Sequence, residues 1–135
     1  MNNLKSKFHY IPLTKQSVKQ YGPQGIFKHG LIRLHVDDST KGVIYIDENH
    51  IVVGYVAVKK LIDGSRKLIR LEVSEEYKGH GYDVDLLEIA VDEFGANTLS
   101  INKNDESLQF YLNHGWKVFD DTTPTYILKL DNNDH

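Results

Sequence analysis

The chain has 135 residues, of which 40% are apolar and 26% charged, with a formal net charge of −3. That length suits a single domain, 1–135, built on one continuous core, and the composition is that of a globular protein rather than a disordered one. There is no cysteine, which excludes disulfides, thiolate metal sites and a thiol nucleophile, and the net negative charge argues against a broad nucleic-acid footprint.

In chain order, Phe8 to Leu13 reads as a short strand that Pro12 limits. Thr14 is placed to cap a helix running toward Tyr21, and Gly22-Pro23 ends it. Gln24 to Leu34 is ambiguous: Ile26, Phe27, Leu31 and Leu34 suggest a second short helix, whereas Gly25 and Gly30 weaken it. Gly42 to Ile46 and Ile51 to Lys59 read as two strands joined by the loop Asp47-Glu48-Asn49-His50. Asp63-Gly64 marks the next turn, and Lys67 to Val73 completes a meander. Lys59, Lys60, Arg66, Lys67 and Arg70 cluster around that turn, as either a solvated hairpin end or a seat for an anionic partner.

The next stretch runs strand, turn, helix. After the apolar run Leu68 to Val73 comes Glu76-Tyr77-Lys78-Gly79-His80-Gly81-Tyr82, and then Val84, Leu87, Val91 and Phe94 recur at helical spacing. Two glycines allow a tight turn and a close backbone approach, and the helix start adds unpaired N–H donors and a positive end. Such a segment is either an anion cradle or a plain tight turn. Phe94-Gly95-Ala96 reads as a C-cap, Thr98 to Asn102 as a strand, and Asp105 or Asn104 as the cap of a helix through Leu108, Tyr111 and Leu112. His114-Gly115 ends that helix. Trp116 to Phe119 and Thr125 to Leu130 form a final pair of strands, and the tail from Asp131 to His135 is polar and expected to fray. The order predicts an α/β (α+β) fold: a central mixed sheet of six or seven strands flanked by three or four helices.

Met1 to Lys7 hold no signal-peptide-like apolar stretch, and the longest apolar run, Ile51 to Val58, is far too short to cross a bilayer. The expectation is a cytoplasmic chain with no membrane and no nucleic-acid partner.

Two stretches resemble the GNAT superfamily of acyl-CoA-dependent N-acetyltransferases. The family signature of Arg or Gln, two residues, Gly, one residue, then Gly or Ala falls on Glu76-Tyr77-Lys78-Gly79-His80-Gly81. A second stretch matches at Asn104, Ser107, Phe110-Tyr111 and Gly115-Trp116. The resemblance implies a sheet whose fourth and fifth strands splay to admit the pantetheine arm of acetyl-CoA. Leu71 and Val73 would pair with that arm, and Lys78, Gly79, His80, Gly81 and Tyr82 would hold the pyrophosphate. Asn104 would help hold the pantetheine side, Tyr111 would protonate the departing thiolate, and Glu72 (or water) would accept the amine proton. No metal is implied. The implied partner is a small-molecule amine or a protein amine, and a homodimer is left open. Glu76 in place of Arg or Gln, Asp83 and Asp85 in the helix's first turn, and a short strand before Asn104 depart from the pattern. They keep open a non-catalytic acyl-CoA-sensing or protein-interaction module of the same fold.

Overall fold

The computed structural model describes residues 8–24 and 30–131. The ambiguous helix over Ile26 and Phe27 and the fraying end of the tail lie outside the described residues; the ends of that helical stretch, Gly22–Gln24 and Leu31–Arg33, are single 3₁₀ turns. Among the described residues seven strands form one mixed sheet: β1 (His9–Pro12), β2 (Thr40–Ile46), β3 (Val52–Lys60), β4 (Arg66–Val73), β5 (Thr98–Asn102), β6 (Trp116–Asp121) and β7 (Thr125–Leu130). The α-helices among the described residues are α1 (Lys15–Tyr21), α2 (Tyr82–Asp92) and α3 (Leu108–Leu112), which cover it. The strand order is β1-β2-β3-β4-β5-β7-β6, with β4 and β5 the one parallel pair of neighbours.

Local chemistry explains the element ends. Thr14 caps α1 reciprocally: its hydroxyl oxygen accepts the Ser17 N–H at 3.0 Å, and the Ser17 hydroxyl oxygen accepts the Thr14 N–H at 2.8 Å. Strands β2, β3, β4 and β6 extend one or two residues beyond the bounds that periodicity suggested, because cross-strand pairing continues after the hydrophobic pattern stops. β3 is central, so both of its faces are covered. Val52, Val53, Tyr55, Val56 and Ala57 have no exposed surface, and the sequence there is a continuous apolar run rather than an alternation.

Two apolar layers follow. One lies under α2 and takes Val43, Tyr45, Val53, Leu68, Leu86, Leu87 and Trp116; the other lies under α1 and takes Ile44, Ile46, Tyr55, Leu31 and Val18. β4 changes phase between them. Ala57 pairs with Arg70 but Val58 with Leu68, so Ile69 is an extra residue, a β-bulge. Leu68 and Leu71 therefore both face the α2 layer although they are three apart, and Ile69 packs into the other. Past the bulge, Leu71 and Val73 share one face and Arg70 and Glu72 the other, as alternation predicts. Leu86 anchors α2 on this sheet and has no exposed surface. Leu86→Ala should destabilise the fold by about 2–5 kcal/mol through lost transfer energy and a cavity, read as a lowered urea midpoint with an unchanged slope.

Candidate active site

β4 and β5 separate almost as soon as they meet. Their ladder consists of the single pair Lys67 with Thr98. Asn97 fastens that end: its side-chain oxygen accepts the Arg66 N–H at 3.0 Å, and its own N–H donates to the Arg66 carbonyl at 2.9 Å. Beyond it the β5-facing backbone groups of β4 have no strand to pair with, and buried backbone polar groups require partners. A cleft of about 680 Å³ opens there. Its walls are Leu71, Glu72 and Val73 of β4, Lys78 and Gly79 of the turn, Tyr82 and Asp83 of α2, and Ser107, Phe110 and Tyr111 at α3. A second cavity of about 260 Å³ lies against Arg70 and against Ser100 and Asn102 of β5. The two meet, sharing Leu71, Glu72, Asp105, Ser107 and Tyr111.

The structure thus brings Leu71, Glu72, Val73, Lys78, Gly79, Tyr82 and Tyr111 to one cleft. His80 and Gly81 lie exposed at its edge and do not line it. Asn104 is exposed on a turn, where its N–H donates to the Asn102 side-chain oxygen at 2.8 Å, and it lines neither cavity. Asp105, whose carboxylate accepts the Ser107 N–H and hydroxyl at 2.8 and 2.7 Å, occupies that corner instead. The acid two residues before Ser107 carries a turn signal that sequence can supply. The placement of Arg70, Ser100 and Asn102 around the second cavity needed the strand pairing.

Gly79 and Gly81 have φ of +83° and +86°, and nothing lies within 4 Å of a Cβ built on either. Backbone conformation, not crowding, calls for glycine there. Gly81 is the N-cap of α2 and offers no side chain to its first turn. Counted from Lys78 instead of Glu76, the same spacing falls on Gly81 and Asp83 and runs into the helix, with Lys in place of Arg or Gln and Asp in place of Gly or Ala. Lys78 lines the cleft and the exposed Glu76 does not. Asp83 stands where that pattern has a small residue, and its carboxylate accepts the Val84 N–H at 2.8 Å.

Glu72 accepts a hydrogen bond from the hydroxyl of the buried Tyr55, directly opposite on β3. Burial first, and then the Glu72 carboxylate, push the Tyr55 phenol above its usual range. Tyr111 is buried, its ring edge-on to Phe110 at 5.2 Å and Trp116 at 6.1 Å. Burial raises its phenol pKa, and the charges of Asp105 and Asp83 push the same way, so the hydroxyl keeps its proton well into alkaline pH. Among the described residues no group of three His, Cys, Asp or Glu is placed to hold a metal, and no helix is long and apolar enough to cross a membrane.

Residues 13–125 match the model of the acetyltransferase (GNAT) domain. The chain belongs to the GNAT acetyltransferase family. Solved structures of the same fold include the ribosomal-protein-S18-alanine N-acetyltransferase of Escherichia coli, at 14% identity and a TM-score of 0.67, covering 95% of this chain and 99% of that one. Arabidopsis thaliana Naa50, solved with the bisubstrate analogue CoA-Ac-MVNAL, superposes at 18% identity and 0.63, covering 93% and 99%. The PaiA N-acetyltransferase of Thermoplasma acidophilum, solved with coenzyme A, does so at 12% and 0.63, covering 92% and 98%. No curated protein matches the chain by sequence.

The turn before α2 is tied to the loop between β2 and β3 through Asp47. This buried carboxylate accepts the N–H groups of Asn49 and Ile51 at 2.9 and 3.0 Å and the Tyr77 hydroxyl at 2.7 Å. The Tyr77 phenol is pushed up to about 12, chiefly by that bond. Burial works to raise the Asp47 pKa, but the Ile51 N–H, the Tyr77 hydroxyl and the Asn49 N–H outweigh it and hold it below the usual value. A depressed folded-state pKa adds stability that is full above the unfolded aspartate value of about 3.9 and is lost as pH falls through the folded value. Melting curves from pH 7 to pH 2.5 should show a shallower acid loss in Asp47→Asn than in the parent chain; identical slopes would rule out this contribution.

Proposed function

We propose that this chain transfers an acetyl group from acetyl-CoA to an amine by direct attack, with no covalent enzyme intermediate. The observation that carries the reading is the slot beyond the Lys67–Thr98 pair, where the edge of β4 faces a cleft that runs to the N-terminus of α2. The residues present fit an extended thioester. The β4 backbone around Leu71 to Val73 offers donors and acceptors to an amide-bearing arm, and the turn from Lys78 to Tyr82 offers backbone N–H groups. Bound acetyl-CoA would supply an activated acyl thioester.

Within that frame Glu72, or a water it holds, takes a proton from the incoming ammonium, and the free amine then attacks the thioester carbonyl. The hydroxyl of Tyr111, a residue that lines both cavities, gives a proton to the departing sulfur. The second cavity, on the Arg70, Ser100 and Asn102 side, is the approach for the amine. Asp121, an acid that could have attracted an amine, is engaged instead, ion-paired to Lys103 at 2.5 Å.

One observation favours a second reading, the non-catalytic acyl-CoA-sensing or protein-interaction module. Glu72, Glu75, Asp83, Asp105 and Glu106 all line the cleft, and Lys78 is the only cation among its described lining residues. Calorimetric titration with acetyl-CoA followed by thiol release over an amine panel separates the two: binding without turnover supports the module. For the catalytic reading, Tyr111→Phe should leave folding and CoA affinity nearly unchanged and slow single-turnover acetyl transfer on the order of 10²-fold. A fully active variant would remove Tyr111 as the acid.

A further inference from the structure

We propose that Asp83 occupies the anion position at the N-terminus of α2, so that the uncharged pantetheine arm, rather than the diphosphate, is the handle by which this site holds an acyl donor. The inference rests on the thioester-donor reading above and narrows it. The donor class is any acyl thioester of pantetheine, with the nucleotide diphosphate contributing little to affinity.

Three observations carry it. The first turn of an α-helix presents N–H groups with no intrahelical partner, yet here the Val84 N–H is already bound to the Asp83 carboxylate at 2.8 Å. A second negative group arriving there must displace that carboxylate or lie beside it. Next, Lys78, the one lysine among the described residues of the cleft wall, is exposed and already lies 3.4 Å from Glu75 through its Nζ. A phosphate that recruits it shares the ammonium with the Glu75 carboxylate. Finally, the remaining charges on the described cleft wall are carboxylates, Glu72, Asp105 and Glu106 among them, so a diphosphate in the cleft meets an excess of like charge. The opposite holds at the β4 edge. Its donors and acceptors are backbone groups, and the pantetheine amides and hydroxyl they would pair with are neutral, so none of this repulsion applies to them.

The test is calorimetry of the full chain with two probes, CoA and pantetheine, at low and high salt, on the parent protein and on Asp83→Ala and Asp83→Asn. Thermal unfolding verifies that each variant is folded. In the parent chain CoA should bind no more than about tenfold tighter than pantetheine, because the gain at the helix is offset by like charge. Asp83→Ala should tighten CoA by about tenfold or more at low salt and less at high salt, with pantetheine unchanged. Asp83→Asn keeps an oxygen for the Val84 N–H but loses the charge, and should fall between. Parent CoA binding more than tenfold tighter than pantetheine, or CoA affinity unmoved in Asp83→Ala, overturns the inference while leaving the donor reading intact. Absence of binding by both probes to all three proteins overturns the donor reading and this inference together. CoA binding only in Asp83→Ala supports Asp83 as the occupant and removes CoA as the parent chain's donor.

Discussion

The divergence of β4 from β5 is the constraint on which the rest of the molecule depends. A parallel pair in mid-sheet would ordinarily continue its ladder, because buried N–H and C=O groups left alone are costly. Here it stops after Lys67 and Thr98, with the Asn97 side chain closing the joined end. The sheet tolerates the gap because the strands on either side are well held. β4 is paired to β3 along most of its length and β5 to β7 along all of its own. Gly54 of β3 contributes too: a Cβ there would stand 2.6 Å from the Glu72 carbonyl oxygen and 2.9 Å from Leu86, so only glycine lets β4 and α2 approach this closely.

The bulge at Ile69 decides what the gap is lined with. Without it, the phase set by Leu68 would turn Leu71 and Val73 away from α2 and swing Glu72 into the apolar layer beneath it. With it, two apolar side chains wall the cleft, and Glu72 reaches Tyr55 on the other face. One extra residue thus sets both the shape of the slot and the position of its nearest carboxylate.

The two ends of the cleft differ in electrostatic character. At the sheet end, burial of Tyr111 favours its neutral, proton-bearing form. At the helix end, the positive end of α2 meets carboxylates, with Asp83 on the nearest free N–H. The fold itself is insensitive to that difference. It superposes on GNAT structures at 12–18% identity, which is understandable where the walls of the slot are backbone groups that constrain side chains mainly at glycines. Charge at the cleft rim can vary without disturbing the sheet.

Most of the fold was legible in the residues because its signals are local. Thr14 with Ser17, the glycines at 79, 81, 95 and 115, the apolar period of α2 and the continuous apolar run of β3 each report a backbone state within a few residues of themselves. The cleft was legible in part for the same reason: the turn before α2 and Tyr111 both lie on elements with strong local patterns. What the sequence could not supply was which turn residues face inward. Glu76 lies in the 3₁₀ turn Glu75–Tyr77 while Lys78 caps its C-terminal end, and Asn104 and Asp105 are adjacent between β5 and α3. Which of them lines the cleft depends on where α2 and β5 start relative to β4. That is fixed by cross-strand pairing, by the Ile69 bulge and by the Asn97 clamp, all of them contacts between residues far apart in the chain. Composition and local periodicity determined the elements and their order; only the tertiary pairing of β4 with its two neighbours decided the register in which they meet, and hence the chemistry of the cleft.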